Sequence, residues 1–209
     1  MLVLCSDGLT SEAVLATLRP CTDGLGTAAL VVTADPTYKG KNYHVPRCTD
    51  ELTGLGMTVD LFDLDKTPCE ALEAYDLVEF IGGNPYYLLD SIRRHGAKPV
   101  LRRLAEKKLL IGWSAAAFVF GPTLALADAY TPGMNTVGLT DLTACRLTEV
   151  EVLPHYDRFL PRFEGFEETC AAYEKKRGVK VLRLNDGDAV LIEGANKMII
   201  RADRDKSQT

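Results

Sequence analysis

Short, nearly continuous apolar segments alternate with helical segments from the start of this chain, and this alternation constrains the fold more than any other feature. The apolar segments are LVLC (2–5), AALVVTA (28–34), TVDLFDL (58–64), LVEFIGG (77–83) and LLIGWS (109–114). Their length and composition are typical of buried strands. Buried strands separated by helices indicate a parallel sheet that is covered on both faces. The sequence therefore predicts an α/β fold, a three-layer sandwich with a mostly parallel central sheet.

The last third of the chain has a different pattern. Polar and apolar residues alternate before a predicted helix that ends at Gly178, and three short strands follow, the last two as a hairpin. We expect these elements to finish the same domain, so that residues 1–209 form a single domain. The segments are TEVEVLPHY (148–156), EGFEETCAAYEKKRG (164–178), VKVLRL (179–184), DAVLIEG (188–194) and KMIIRAD (197–203).

Charge and composition exclude several classes of protein. The net charge of −5 argues against a nucleic-acid partner, because binding to phosphates needs a concentrated basic surface. No apolar run reaches the roughly 18–20 residues of a membrane span, and the first residues do not resemble a secretory signal. The six cysteines contain no C-x-x-C pair, which indicates reduced thiols rather than a zinc site or disulfides. A cytoplasmic location is expected.

The segment LLIGWSAAAFVFGP (109–122) places one serine where a predicted strand passes into a helix. Small residues two positions before and after that serine, Gly112 and Ala116, are what a tight strand-to-helix turn around a nucleophilic Ser114 requires. The helix that begins at Ala115 would direct its free N–H groups toward the serine. A second N–H donor is expected from GGN (82–84), since glycines allow a close approach of the backbone.

A nucleophilic serine needs a base, and the chain has only three histidines. His95 lies at a predicted helix end, where capping is the expected role, and His44 lies on an early loop of undefined position. His155 directly follows a predicted strand, and Pro154 restricts the approach of its loop. We therefore select His155 as the base.

The carboxylate that would orient His155 is less well defined by spacing. Asp157 is too close in sequence to reach the far ring nitrogen comfortably, whereas Asp128, Asp141 and Asp186 are all compatible. Asp186 lies in LNDGDAV (184–190), a tight turn suited to holding a carboxylate rigidly. By composition the same residues are more typical of a simple hairpin turn, so the spacing leaves this assignment open.

The order of four segments resembles the peptidase E (aspartyl dipeptidase) family, which is related to the cyanophycinases and to class I glutamine amidotransferases. The resemblance covers nearly the whole chain and implies an amidotransferase-like, flavodoxin-like fold. It is strongest in the first two of the segments, which are IGGNPYYLL (81–89), IGWSA (111–115), LPHY (153–156) and LNDGDAVLIEG (184–194).

The resemblance also implies roles for individual residues. It implies a catalytic triad, an oxyanion hole made by two backbone N–H groups, and an asparagine beside the substrate. It further implies a small peptide substrate, no metal or organic cofactor, and a monomer or homodimer. The residues are Ser114 as nucleophile, His155 as base, Asp186 as the third member, Gly83 and Ala115 as oxyanion donors, and Asn84 as the substrate-binding residue.

Three features depart from the family pattern. The family usually has glycine where this chain has Ala116, so the extra methyl group is expected to strain the turn or reshape the pocket. Asp186 replaces a glutamate and must lie closer to His155. Aspartyl dipeptidases carry an arginine in the helix after the catalytic histidine, and EGFEETCAAYEK (164–175) has none, which argues against specificity for an N-terminal aspartate.

These observations predict a serine hydrolase that cleaves a small amide or dipeptide bond through an acyl-enzyme. One alternative is a glutaminase-like amidotransferase, which would need a cysteine in the position of Ser114. The other is a member without catalysis or with altered specificity, acting as a binding protein for small molecules or peptides. Ala116 and the missing arginine are the features that favour this second alternative.

Overall fold

The computed structural model describes residues 1–203, and a seven-stranded sheet forms their centre. The strands follow one another across the sheet in the order β3-β2-β4-β5-β1-β8-β9. They are β1 (Leu2–Cys5), β2 (Thr27–Val31), β3 (Thr58–Phe62), β4 (Leu77–Phe80), β5 (Leu109–Trp113), β8 (Ala189–Glu193) and β9 (Asn196–Ile200).

The five strands from the first half of the chain pair in parallel, and β8 and β9 are antiparallel to their neighbours in the order. The prediction of a mostly parallel sheet with a C-terminal hairpin is therefore confirmed. Counted from β2, the parallel strands have the flavodoxin order 2-1-3-4-5, with β1 in the fifth place. Because β8 runs against β1, its first residue lies at the carboxyl edge of the parallel strands, and this positions part of the site.

Helices cover both faces of the sheet, as predicted for a three-layer sandwich. Buried side chains of α1 and α2 form one apolar layer against the sheet, and those of α3, α4 and α5 form the other. The side chain of Ser11 accepts a hydrogen bond at the start of α1, and Asn84 does the same for α3. The helices are α1 (Glu12–Thr22), α2 (Val45–Gly54), α3 (Pro85–Arg94), α4 (Lys98–Lys107) and α5 (Ala115–Phe120).

Two of the C-terminal strands lie outside the central sheet. The strands β6 (Glu151–Leu153) and β7 (Val181–Arg183) pair with each other in parallel and form a separate two-stranded sheet. A small apolar cluster holds this unit together, because residues of both strands pack against α6 (Ala125–Tyr130) and α8 (Phe166–Arg177). The short helix α7 (Tyr156–Phe159) follows β6 directly. The alternation of polar and apolar residues along 148–156 therefore belongs to a strand outside the main sheet.

The sequence overestimated the length of several strands at their carboxyl ends. The second strand ends at Val31 rather than at residue 34, and the fourth ends at Phe80 rather than at residue 83. In each case the excess residues form loops at the carboxyl edge of the sheet, where ligands bind in open α/β sheets. Among residues 1–203, no helix is both long enough and apolar enough to cross a membrane.

Candidate active site

Ser114 occupies a sharp turn between β5 and α5. Its backbone has φ +52° and ψ −110°, a conformation that non-glycine residues rarely adopt and that surrounding contacts must enforce. Its N–H donates to the carbonyl of Cys5 at 3.2 Å, which fastens the turn to the neighbouring strand. A side chain at Gly112 would lie 2.5 Å from the ring of Phe120. Glycine is therefore required two residues before the serine.

Ala116 is buried in the apolar layer. The sequence suggested that its methyl group could reshape the pocket, but the methyl group does not reach the pocket. Its methyl group lies 3.1 Å from the position that a Cβ at Gly112 would take. The methyl group therefore points toward the strand below it, whereas the cavity beside the serine is lined by Ser114 and Ala115. The departure from the family at this position concerns packing of the core.

The Gly82–Gly83–Asn84 loop after β4 lies directly against the turn of Ser114. A Cβ at Gly82 would lie 2.5 Å from the Trp113 ring and 3.0 Å from Ser114 Cβ. Gly83 has φ +148°, and a Cβ there would lie 2.5 Å from the carbonyl oxygen of Ala34. Both glycines are therefore needed for this close approach. Ala115 is the first residue of α5, so its N–H has no acceptor within the helix.

The small sheet brings the histidine and the carboxylate together. Because β6 and β7 are parallel, with Leu153 opposite Arg183, both strands end at the same edge. His155 follows β6 by two residues and Asp186 follows β7 by three. The N–H of Tyr156 donates to Leu184 O at 3.0 Å and holds the two loops together. His155 itself is buried and has a left-handed backbone conformation, with φ +58°.

The three side chains form a continuous chain of hydrogen bonds. His155 Nδ1 lies 2.6 Å from Asp186 Oδ1, and His155 Nε2 lies 2.8 Å from Ser114 Oγ. Since an ionised carboxylate can only accept, Nδ1 carries the proton and Nε2 is free to accept from the serine hydroxyl. The sequence selected all three residues, and the structure brings them together.

Asp186 is held in its ionised form by its neighbours. Burial opposes ionisation, but the hydrogen bond with His155, the His155 charge, the Ser6 hydroxyl and the Arg158 charge together lower the pKa of Asp186 below its ordinary value. Arg158 Nε lies 3.4 Å from Asp186 Oδ2. An ionised carboxylate next to the ring fixes the tautomer that leaves Nε2 free.

The turn that carries Asp186 is not a hairpin turn. Asp188 N–H donates to Asn185 O at 2.9 Å, which closes a tight turn, but β7 before it and β8 after it belong to different sheets. Ser6 N–H donates to Asp188 O at 3.0 Å, since β8 starts next to the end of β1. The turn therefore connects the small sheet to the large one at the site itself.

Ser6 is a residue of this site that the sequence analysis missed. It is buried at the end of β1, and its Oγ accepts the N–H of His155 at 2.7 Å and donates to Asp186 Oδ1 at 2.9 Å. One hydroxyl thus holds the histidine backbone and the carboxylate at the same time. The available signal was a polar residue immediately after the first predicted strand, at the same sheet edge as Ser114.

The remaining histidines and carboxylates have other partners. His95 directly follows α3 as its C-cap and lies 3.4 Å from Asp65, in agreement with its expected place at a helix end. Three other carboxylates were candidates for orienting His155. Among the described residues, none of the three forms a hydrogen bond with the His155 ring. Asp128 accepts from Tyr86, Asp141 pairs with Arg93, and Asp157 accepts the N–H groups of Arg158 and Asp186.

His44 lies on the wall of the cavity beside Trp113, at a ring distance of 5.1 Å. Burial together with the charges of Arg47 and Arg158 lowers the pKa of His44 below its ordinary value. These effects favour the neutral form of the His44 ring beside the site. The sequence had left its position undefined.

A cavity of about 820 Å³ opens in front of Ser114 and His155. The loops after β2, β4 and β5 form one side of it, as expected at the carboxyl edge of an α/β sheet. Aromatic side chains form another part of the cavity wall, and they come from α5, α6, α7, α8 and the loop before α8. They are Phe118, Tyr130, Phe159, Phe163 and Phe166.

Two arginines line the same cavity. Neither belongs to α8, the helix in which the family carries its arginine, and α8 contains no arginine before Arg177. Arg158 belongs to the short helix α7 next to His155, and Arg47 belongs to α2. Each is already paired with a carboxylate, Arg158 with Asp186 at 3.4 Å and Arg47 with Glu51 at 2.5 Å. Positive charge is therefore present at the cavity, from elements other than the expected helix.

Asn84 also lies on the cavity wall, as predicted, but its polar atoms have partners within the protein. Its Oδ1 accepts the N–H groups of Tyr86 and Tyr87 at the start of α3, and its Nδ2 donates to Met134 O at 2.8 Å. These contacts hold the Gly82–Gly83–Asn84 loop between α3 and the segment around Met134.

An α/β sheet that carries a serine on a strained strand-to-helix turn, next to a histidine and a carboxylate, is the arrangement of serine-type hydrolases. The model of peptidase family S51 matches residues 3–200. The chain therefore belongs to peptidase family S51 and is a serine-type peptidase.

Individual relatives agree with this family. An uncharacterized peptidase of Listeria monocytogenes serovar 1/2a is 28% identical over 163 residues, which cover 76% of this chain and 78% of that protein. Peptidase E of Salmonella arizonae is 30% identical over 119 residues, 56% of this chain and 50% of its own length. The chain thus spans half the length of that enzyme.

A crystal structure of a protein assigned as a peptidase E from Listeria monocytogenes EGD-e has the same fold. Its TM-score is 0.79 at 24% identity, and the match covers 97% of this chain and 98% of that one. This likeness agrees with the α/β fold and mostly parallel central sheet expected from the sequence.

Proposed function

We propose that this peptidase cleaves small peptides, dipeptides among them, through an acyl-enzyme formed on Ser114. The observation that carries the proposal is the hydrogen-bond chain from Ser114 through His155 to Asp186, with distances of 2.8 and 2.6 Å. A serine hydroxyl is a weak nucleophile alone and needs an adjacent base that a third group orients.

In the proposed first step, Ser114 Oγ attacks the carbonyl carbon of the scissile amide while His155 Nε2 takes the hydroxyl proton. The carbonyl π electrons move to the oxygen, and the N–H groups of Gly83 and Ala115 stabilise that oxyanion. When the oxyanion collapses, His155 gives the proton to the leaving amine. Water then attacks the ester by the same sequence, and Asp186 stabilises the imidazolium in both halves.

The dimensions of the cavity support a small substrate. A volume of about 820 Å³ lies within the range of roughly 300–1,000 Å³ for small-molecule sites. Its aromatic wall suits apolar parts of a short peptide, and Arg47 and Arg158 suit polar or acidic ones. Asn84 is proposed to act on the substrate indirectly, by fixing the loop of Gly83.

Labelling with a fluorophosphonate tests the nucleophile directly. We expect stoichiometric modification of Ser114 in the folded protein, identified by mass spectrometry of the peptide, because His155 increases the nucleophilicity of its hydroxyl. Thermally unfolded protein should not react. Folded protein that stays unlabelled at Ser114 would favour a non-catalytic binding protein, and inactivation by a thiol reagent alone would favour an amidotransferase-like mechanism.

A positioning role is proposed for Ser6, which contacts both His155 and Asp186. Ser6→Ala leaves the buried N–H of His155 without an acceptor, at a cost of about 1–3 kcal/mol. We expect kcat to fall by about 10- to 100-fold, because a misplaced base transfers protons poorly. The measurement is kcat and KM, with the melting temperature recorded in parallel.

Ser11→Ala is the matched control for Ser6→Ala. Ser11 Oγ donates to Gly187 O at 2.7 Å and caps α1, so it holds the same loop without contacting the triad. This variant should lose a similar amount of stability and keep its kcat. A Ser6→Ala variant that is destabilised but has the wild-type kcat would show that Ser6 acts on stability alone.

We also propose that the chain works as a single domain in the cytoplasm, as a monomer or homodimer. Strands from both ends of the described chain, β1 and β9, belong to one sheet, which supports a single folding unit. The six cysteines are all unpaired, as is usual in a reducing compartment.

A further inference from the structure

A glutamate lies within the central sheet, on strand β4. Glu79 belongs to β4 and pairs in register with Leu30 on one side and Ile111 on the other. Its side chain is fully buried, and neither carboxylate oxygen has a hydrogen-bond partner within the described chain. The Trp113 indole favours ionisation of Glu79 but forms no hydrogen bond of normal geometry. Such a group is costly unless something binds it.

Two further metal-binding side chains lie beside Glu79. Cys48 and Glu51 are three residues apart on α2, so they share the helix face that packs on the sheet. The donor atoms of Cys48, Glu51 and Glu79 all lie within 4.8 Å of one another. A thiol and two carboxyls from two elements thus meet at a single buried point.

Glu79 is poorly accommodated as it stands, because both of its oxygens lack partners among residues 1–203. Burial disfavours the charged form of all three groups. Arg47 pairs with Glu51 at 2.5 Å and offsets one negative charge. A divalent cation would offset the other two.

We propose that Cys48, Glu51 and Glu79 form a binding site for a zinc ion. A thiolate with carboxylates suits zinc, whereas magnesium and calcium prefer oxygen ligands alone. Around tetrahedral zinc, such donors lie roughly 3.3–3.5 Å apart, as follows from bond lengths near 2.0 and 2.3 Å. The donor atoms of the three side chains lie within 4.8 Å of one another, so small side-chain rotations bring them to these distances. A water molecule would complete the coordination.

Charge and protons balance in this site. On binding, the Cys48 thiol and the Glu79 carboxyl each release one proton to solvent, and no group is oxidised or reduced. The three anionic ligands and the zinc ion carry a net charge of −1, which the guanidinium of Arg47 offsets. Arg47 also lines the cavity, so movement of this side chain gives the ion a route from solvent.

The zinc ion would have a structural role. It would join α2 to β4 beneath Trp113, the residue that precedes Ser114 and packs edge-on against His44. The proposed reaction needs no metal. The zinc ion would instead stabilise the packing of α2 against β4 below the cavity. The inference does not depend on the peptidase mechanism, so inactive Ser114→Ala protein is suited to testing it.

Cobalt(II) titration of the metal-free protein tests the proposal. We expect one equivalent to bind, with the near-ultraviolet absorption of a thiolate-to-cobalt bond, and zinc to displace it stoichiometrically. Zinc should also raise the melting temperature. If the folded wild-type protein binds less than about a tenth of an equivalent, or binds without the thiolate band, the proposal is wrong. This readout requires no variant to fold.

Variants then assign the ligands. Cys48→Ser should remove the thiolate band, and Glu79→Gln should weaken zinc binding by about 100-fold or more, since loss of residues that merely support ligands costs about 10–100-fold. Cys145→Ser is the control, because Cys145 is an equally buried thiol in the other apolar layer. Loss of the band in Cys145→Ser, or its retention in Cys48→Ser, would overturn the assignment.

Discussion

Ser114→Ala should reduce kcat on any peptide substrate by about 100,000-fold or more while the protein remains folded, because removing the nucleophile of such a triad eliminates the acyl-enzyme route. The side chain contributes one hydrogen bond, to His155 at 2.8 Å, and little packing. Alanine can adopt the same backbone as serine, so the turn should persist. Steady-state kinetics and a melting curve, measured on the same preparation, check both halves of this expectation.

Ser91→Ala is the control for loss of a buried hydroxyl. Ser91 lies on α3, and its hydroxyl donates to Asp65 at 2.7 Å, away from the catalytic groups. This variant should label with fluorophosphonate and turn over substrate like the wild type. Measurable acyl-enzyme in Ser114→Ala, trapped by acid quench, would contradict the assignment of the nucleophile.

The main sheet could be predicted from the sequence, because buried parallel strands have a strong local sequence pattern. Segments such as 2–5 and 109–114 are apolar on both faces, and turn residues mark where they stop. Strand ends were less accurate at β2 and β4, since the residues that follow are also apolar or small. Those residues are buried because they lie in the loops around the site, and not because they pair as strands.

The small sheet could not be predicted, because nothing local distinguishes a strand of the main sheet from one that pairs elsewhere. The segment 148–156 alternates like an edge strand, and β7 is only three residues long. Their pairing depends on α6 and α8, which pack behind them. The proximity of His155 to Asp186 follows from this pairing, so spacing alone left several carboxylates open and the family resemblance was needed to select Asp186.

The roles of Ser6, Arg158 and Glu79 were also beyond sequence reasoning. Ser6 reaches His155 only because β8 is antiparallel to β1 and starts at the site. Arg158 faces Asp186 because the helix α7 begins immediately after His155. Glu79 lies within a strand that reads as apolar, and its isolation is a property of the packed layers. Register and packing are long-range properties that no short motif encodes.

Asp186→Asn is expected to reduce kcat by about 1,000- to 10,000-fold, the loss found when the carboxylate of a serine triad becomes an amide. Both Asp186 oxygens face donors: Oδ1 faces His155 Nδ1 at 2.6 Å and Ser6 Oγ at 2.9 Å, and Oδ2 faces Arg158. An amide therefore places an NH₂ group against a donor in either orientation. The imidazolium also loses its counter-charge in the transition state.

Asp157→Asn distinguishes this role from a general loss of negative charge. Asp157 is two residues from His155 but accepts only backbone N–H groups, those of Arg158 and Asp186, both at 2.9 Å. Asparagine can still accept them, so kcat should stay within about tenfold of wild type. If Asp157→Asn loses more activity than Asp186→Asn, then Asp157 orients the base instead.

Stability measurements give an independent check on Asp186. Its folded-state pKa is lowered from an ordinary value of 3.8, so the ionised carboxylate stabilises the fold above that value, and the stabilisation is lost as pH falls through the lower folded-state pKa. Asp186→Asn should therefore melt below wild type at pH 7, and the difference should shrink as the buffer is taken below pH 3.8. A difference in melting temperature that is the same at both pH values would mean that the Asp186 carboxylate has no favourable charged partners. It would leave the orientation of His155 to Ser6 and the backbone alone.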